Sequence, residues 1–161
     1  MRQRLPVLSA LALILTLAAC AALLPSEDSG GFQLYFLSTG GHGPAISGTP
    51  YAGQDPTAEE LLSALLAGPE EDGLRSPFPA GVYLRGTELE EGLLTVDFSE
   101  QYGGLSDISL TLADYCVVCT VCQLEEVEAV AITVSGRQMN YRSHQILTPA
   151  DVEPWEEQQN T

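Results

Sequence analysis

The sequence contains no lysine. Its six basic residues, Arg2, Arg4, Arg75, Arg85, Arg137 and Arg142, stand against 22 aspartates and glutamates, for a formal net charge of −16. Such a surface repels phosphate backbones and anionic headgroups, which argues against nucleic-acid binding. Only two histidines occur. His42 sits between glycines in a loop and His144 lies near the end, so neither is placed to serve a nucleophile with an orienting acid. The chain has no G-x-S-x-G elbow, no Gly-rich phosphate loop and no D-x-D-x-D-G calcium loop. Among so many acids any pair is unremarkable. Asp97 with Glu100 comes nearest to a glycosidase pair, and solvation of a strand exit is the simpler role. No constellation converges, so no cofactor is implied and the protein is expected not to be an enzyme.

What is present first is an address. Arg2 and Arg4 precede an apolar run from Leu5 to Ala19 broken only by Ser9 and Thr16. The run is short for a membrane span and ends in small residues, as a secretion signal does. It closes on Leu17-Ala18-Ala19-Cys20, which resembles the bacterial lipobox. Cys20 is therefore the expected lipidation site, with residues 1–19 a lipoprotein signal peptide. Loss of the two N-terminal arginines leaves four against 22 acids, a charge of −18. Palmitate-type acylation at Cys20 then carries the anchoring alone, because the acidic body gains nothing from headgroups. Residues 20–31 read as a lipidated flexible tether.

A body of 45% apolar residues follows. Phe32 to Leu37 is a strand by aromatic and aliphatic content. Ser38 to Pro56, dense in Gly and Pro, reads as a long loop. Thr57 opens a helix with a capping box to Glu60. Leu61, Leu62, Leu65 and Leu66 form its apolar stripe, and Gly68-Pro69 end it. Glu59 and Glu60 belong to the cap and dipole rather than to chemistry. Glu70 to Gly81 is a loop. Val82–Leu89 and Leu93–Phe98 make a hairpin across Glu90-Glu91-Gly92. Ser106 caps a second helix. Ile108, Leu112, Tyr115, Cys119 and Cys122 are read as its buried stripe, with Asp107, Thr111 and Asp114 as its wet one. Val127–Ser135 is a strand turned by Gly136. Residues 148–161 read as an acidic flexible tail.

Cys116, Cys119 and Cys122 stand as C-x2-C-x2-C and are the weak metal candidates. A bacterial iron–sulfur run needs a fourth Cys three residues on, and zinc sites draw on a second Cys or His pair. Neither follows, so no metal is expected and the three sulfurs read as small buried hydrophobes.

Several phrases occur in order: FQLYFL, then TAEELLSALLAGPEEDGLRSPFPAGVYL, then LLTVDFSEQY, then VEAVAITVSG. Together they resemble the GerMN domain of exported bacterial sporulation and germination proteins. The resemblance covers Phe32 to Gly136; the domain is bounded at 32–147. It implies a small α/β (α+β) domain with a mixed sheet of about four strands, order β-α-β-β-α-β, and two helices packed on one face. It supplies no catalytic motif. Double-domain relatives are linked to assemblies between the membranes of a developing spore, whereas here the domain occurs in a single copy.

The expected function is that of a membrane-anchored extracytoplasmic lipoprotein. Its GerMN-like domain serves as a non-catalytic protein-interaction module of the cell envelope, linked to sporulation or germination. The expected partners are the membrane through the lipid at Cys20 and another envelope protein, with self-association also compatible and nucleic acid excluded. The alternative is an envelope ligand binder, for cell-wall glycan or a metal ion, using the 38–56 loop.

Overall fold

The computed structural model describes residues 31–40, 45–142 and 144–152. The readings on residues 1–19, Cys20 and His42 lie outside them. The body divides into two sheets and two α-helices. β1 (Gln33–Ser38) is central in the first sheet. It pairs antiparallel with β2 (Ile46–Pro50) on one side and with the two residues of β3 (Leu74–Arg75) on the other. β4 (Leu84–Glu90) and β5 (Leu93–Phe98) form an antiparallel hairpin in the second sheet. β6 (Ala129–Val134) runs parallel to β5, in register from Leu93↔Ala129 to Phe98↔Val134. β7 (Arg137–Gln138) and β8 (Ile146–Leu147) share the far edge of β6, one against each half.

Local chemistry accounts for these elements. Glu91 and Gly92 both take positive φ, 47° and 85°, as do Ser135 and Gly136 at 51° and 74°. Two such residues in a row give the primed turn whose twist suits a two-residue hairpin. α1 (Ala58–Ala67) begins with the expected capping box: the Glu60 amide donates to Thr57 Oγ1 and the Thr57 amide to Glu60 Oε2. Leu61, Leu62 and Leu65 are buried beneath it, and Gly68 at φ 90° ends it. β5 alternates as read, with Leu94, Val96 and Phe98 interior. A short 3-10 helix (Glu100–Gly104) then lays Tyr102 flat against Phe98, with ring centroids 4.6 Å apart.

α2 (Asp107–Val121) is the crossover between parallel β5 and β6. It touches β1 of the first sheet, β6 of the second, and α1. The core is the apolar material gathered around it.

The small α+β domain with two principal helices is as expected, and β1-α1-β4-β5-α2-β6 follows the predicted order. Three details differ. The strands form two sheets, not one, and β2 lies inside the stretch read as loop. ISGTP is short, carries Gly48 and ends on Pro50, so its composition signals a turn; as an edge strand it tolerates both. The body also continues past Leu147 through a helical turn at 149–152, where Val152 joins the core. Finally, the phase of α2 is rotated from the one predicted. Ile108 is 69% exposed, whereas Leu110, Ala113, Asp114, Val117 and Val121 face inward. The helix is apolar almost all round, so its pattern fixes no single stripe. The buried carboxylate at Asp114 also breaks the one that exists.

Candidate functional site

The residues singled out from sequence do not assemble into one site. Cys116 is fully buried, and Cys119 and Cys122 are half-buried against the core. Burial pushes the Cys116 thiol far above its ordinary range and the Cys122 thiol up to about 11. Both therefore stay protonated at neutral pH, when a thiolate would be the ligand or nucleophile. Among the described residues no three His, Cys, Asp or Glu side chains converge as a metal ion would need. His144 is exposed. Asp97 does structural work: its Oδ1 accepts from Thr133 Oγ1 and the Gly136 amide, both at 2.8 Å, and its Oδ2 faces Arg85 Nη1 at 3.2 Å. It ties the β6–β7 turn to β5. Glu100 lies exposed at the start of the 3-10 helix.

Sequence reasoning missed the most polar cluster in the interior. Asp114, placed on the wet face by its spacing, is buried. Arg142 donates to it from Nε at 2.8 Å and Nη2 at 2.7 Å, and Tyr102 donates its hydroxyl to Oδ1 at 2.7 Å. The Arg142 Nη1 reaches the Ile132 carbonyl at 2.6 Å. Burial raises the Asp114 carboxyl, opposed by the Arg142 charge and the Tyr102 hydrogen bond. Burial and the Asp114 charge together raise the Tyr102 hydroxyl well above its ordinary value. Each member satisfies another, so this cluster is an internal strut that fastens the C-terminal segment to α2 and β6. The signal that could have found it is the inward series Leu110, Ala113, Asp114, Val117 and Val121, together with the scarcity of arginine.

The candidate surface is an open groove of about 820 Å³ at the end of the body where the chain enters. Phe32 lines it directly ahead of β1. One wall is the start of α1 with Asp55 and Glu59; another is the turn after α2 with Glu125 and Glu126. Leu94, Leu124 and Val127 form an apolar floor, and Leu89 of β4 stands 43% exposed within the groove. Asp55 and Pro56 are the only part of the 38–56 stretch that reaches it among the described residues. Gln123 stiffens the wall. Its Oε1 accepts from the Gln33 amide at 2.9 Å, and its Nε2 donates to the Gln33, Cys119 and Thr120 carbonyls at 2.8–3.0 Å.

A family profile described as "Germane: Sporulation and spore germination" matches residues 33–140. A search of curated proteins finds no match. Solved structures share the fold, among them the following. The first GerMN domain of the sporulation protein GerM from Bacillus subtilis superposes with a TM-score of 0.60 at 18% identity, over 74% of this chain and 98% of that one. The tandem GerMN domains of the same protein give 0.61 at 17% identity, over 74% of this chain and 46% of that one. This chain thus spans about half the length of the tandem structure. A structure described as "Putative Lipoprotein from Clostridium perfringens" gives 0.51 at 15% identity, over 80% of this chain and 95% of that one. The chain belongs to the Germane family of sporulation and spore germination domains, and its body is a GerMN domain.

Proposed function

We propose that the protein is a lipoprotein held through Cys20 on the outer face of the cytoplasmic membrane. There it presents one GerMN domain as a non-catalytic protein-interaction module of the envelope, in sporulation or germination. Family membership supports the process. The Leu17-Ala18-Ala19-Cys20 sequence supports the anchor, as does the shared fold of a lipoprotein from Clostridium perfringens. Among the described residues no helix is long and apolar enough to cross a membrane.

One observation carries the interaction role. Leu89 stands exposed in an open groove with an apolar floor, at the end where the tether enters. A leucine there loses unfavourable hydration when a partner covers it.

Two experiments test this. Cys20→Ser should release the protein from the membrane fraction and abolish the acyl mass increment at that residue; a variant that stays membrane-bound overturns the anchor. Photoreactive residues introduced singly at positions 83, 89, 108 and 141 in sporulating cells should crosslink a defined protein from at least one. No crosslink from any of them overturns the module.

A further inference from the structure

Open grooves on the described surface differ in charge. The groove between the start of α2 and the C-terminal segment is lined by Asp107 and by the mutually paired, buried Asp114 and Arg142. The small groove under Ile108 carries Arg75 as its only charge. The groove at the tether end carries Asp55, Glu59, Glu125 and Glu126, and among the described residues lining it none is basic. All four acids are exposed, so their charges remain available to a partner. Below this rim lie Leu89, Leu94 and Val127. A negative rim over an apolar floor selects for the complementary pattern.

We propose that this groove binds a basic peptide segment with an apolar face, carried by another envelope protein. The proposal rests on the interaction-module reading and gives that module its partner's chemistry. Lysine or arginine side chains meet Glu59 and Asp55 on one wall and Glu125 and Glu126 on the other. Apolar side chains between them cover Leu89 and the floor. Anionic occupants are repelled, and the capping box already satisfies the Thr57 and Glu60 amides at the start of α1, where an anion would otherwise bind. The same repulsion excludes an acidic bilayer surface. A volume of about 820 Å³ fits several side chains rather than an ion. Gln123 has its amide group engaged by the backbone of β1 and α2, so the wall is set before binding and little ordering cost remains.

The test is photocrosslinking in cells from position 89, with the attached segment sequenced by mass spectrometry. The expected segment carries at least two lysines or arginines interleaved with apolar residues. E125Q/E126Q should lower the crosslink yield by about tenfold, as two exposed ion pairs acting together would. E70Q/D72N removes the same charge from an exposed loop elsewhere and should leave the yield unchanged. A neutral or acidic segment overturns the proposal, and so does equal loss from the two double variants. Specific crosslinks from position 83, 108 or 141 with none from 89 overturn this groove while leaving the module reading in place. No crosslinks from any position overturn both.

Discussion

Asp114→Ala is the sharpest perturbation the fold offers. The side chains of Asp114 and Arg142 are only 5% and 3% exposed, joined by two hydrogen bonds of 2.7–2.8 Å. Deleting the carboxylate leaves a guanidinium without a counter-charge in the interior, which costs about 3–5 kcal/mol. The Tyr102 hydroxyl loses its acceptor as well, adding about 1–3 kcal/mol. A domain of this size has about 5–15 kcal/mol in total, so the variant should lose at least about a quarter of its stability. Urea unfolding followed by circular dichroism measures it. The apolar triple variant Y102F/D114L/R142M should recover most of the loss, because no charge is then buried alone. Arg142→Met adds a pH signature. Burial already lifts the Asp114 carboxyl, and loss of the Arg142 charge lifts it further. A carboxyl raised in the folded state favours folding below its unfolded value. That contribution fades as pH climbs through the folded value, so R142M should be most stable in mild acid and weaken toward neutrality. A cost below about 1 kcal/mol for D114A would refute the strut. So would a triple variant as unstable as the single one.

Two further outcomes follow from backbone and thiol chemistry. Gly92→Ala places a Cβ at φ 85° and 3.1 Å from the Glu128 side chain. Gly136→Ala takes φ 74° with open space around it. Each should cost about 1–2 kcal/mol from the left-handed backbone alone, with the larger loss at Gly92; equal or zero losses in urea unfolding would contradict the packing at that turn. The Cys122 thiol, lifted from 9.0 to about 11, should react with iodoacetamide at pH 8 about a hundredfold more slowly than in the urea-unfolded chain, and its rate should climb tenfold per pH unit toward 11. Equal rates in the folded and unfolded chains would show that α2 is not packed as described.

Much of the fold was legible because local chemistry and global packing agree at particular residues. Thr57 and Glu60 cap α1, and nothing in the tertiary structure contradicts them. Glu91-Gly92 makes the hairpin that its composition announces. β5 alternates because one of its faces is interior and the other is not. β2 was hidden for the opposite reason. Its backbone ladder to β1, from Gln33↔Pro50 to Leu37↔Ile46, needs no strand-forming side chains, and Gly48 and Pro50 advertise a loop. β7 and β8 are two residues each, too short to carry a period. Such strands exist only because β6 offers them an edge.

The site was less legible, and α2 shows why. Sequence phase assumes that charge faces water, yet Asp114 faces the core, because Arg142 and Tyr102 reach it from segments 28 and 12 residues away. No window centred on the helix contains the arginine. Once the partner is unseen, Asp114 joins Asp107 and Thr111 as a false wet stripe and turns the helix by about half a revolution. That phase places Ile108 in the interior, whereas it is the most exposed large hydrophobic residue of the described body. The acid-rimmed groove fails to show for the same reason. Asp55 and Glu59, Leu89, and Glu126 come from three places in the chain, and only the parallel pairing of β5 with β6, which brings the turn after α2 beside the turn of the β4–β5 hairpin, places them around one opening. Charge excess is visible in composition, but its concentration around the groove beside Phe32 is a property of topology. A surface with no lysine anywhere can still discriminate between partners when its acids ring an apolar floor at one opening.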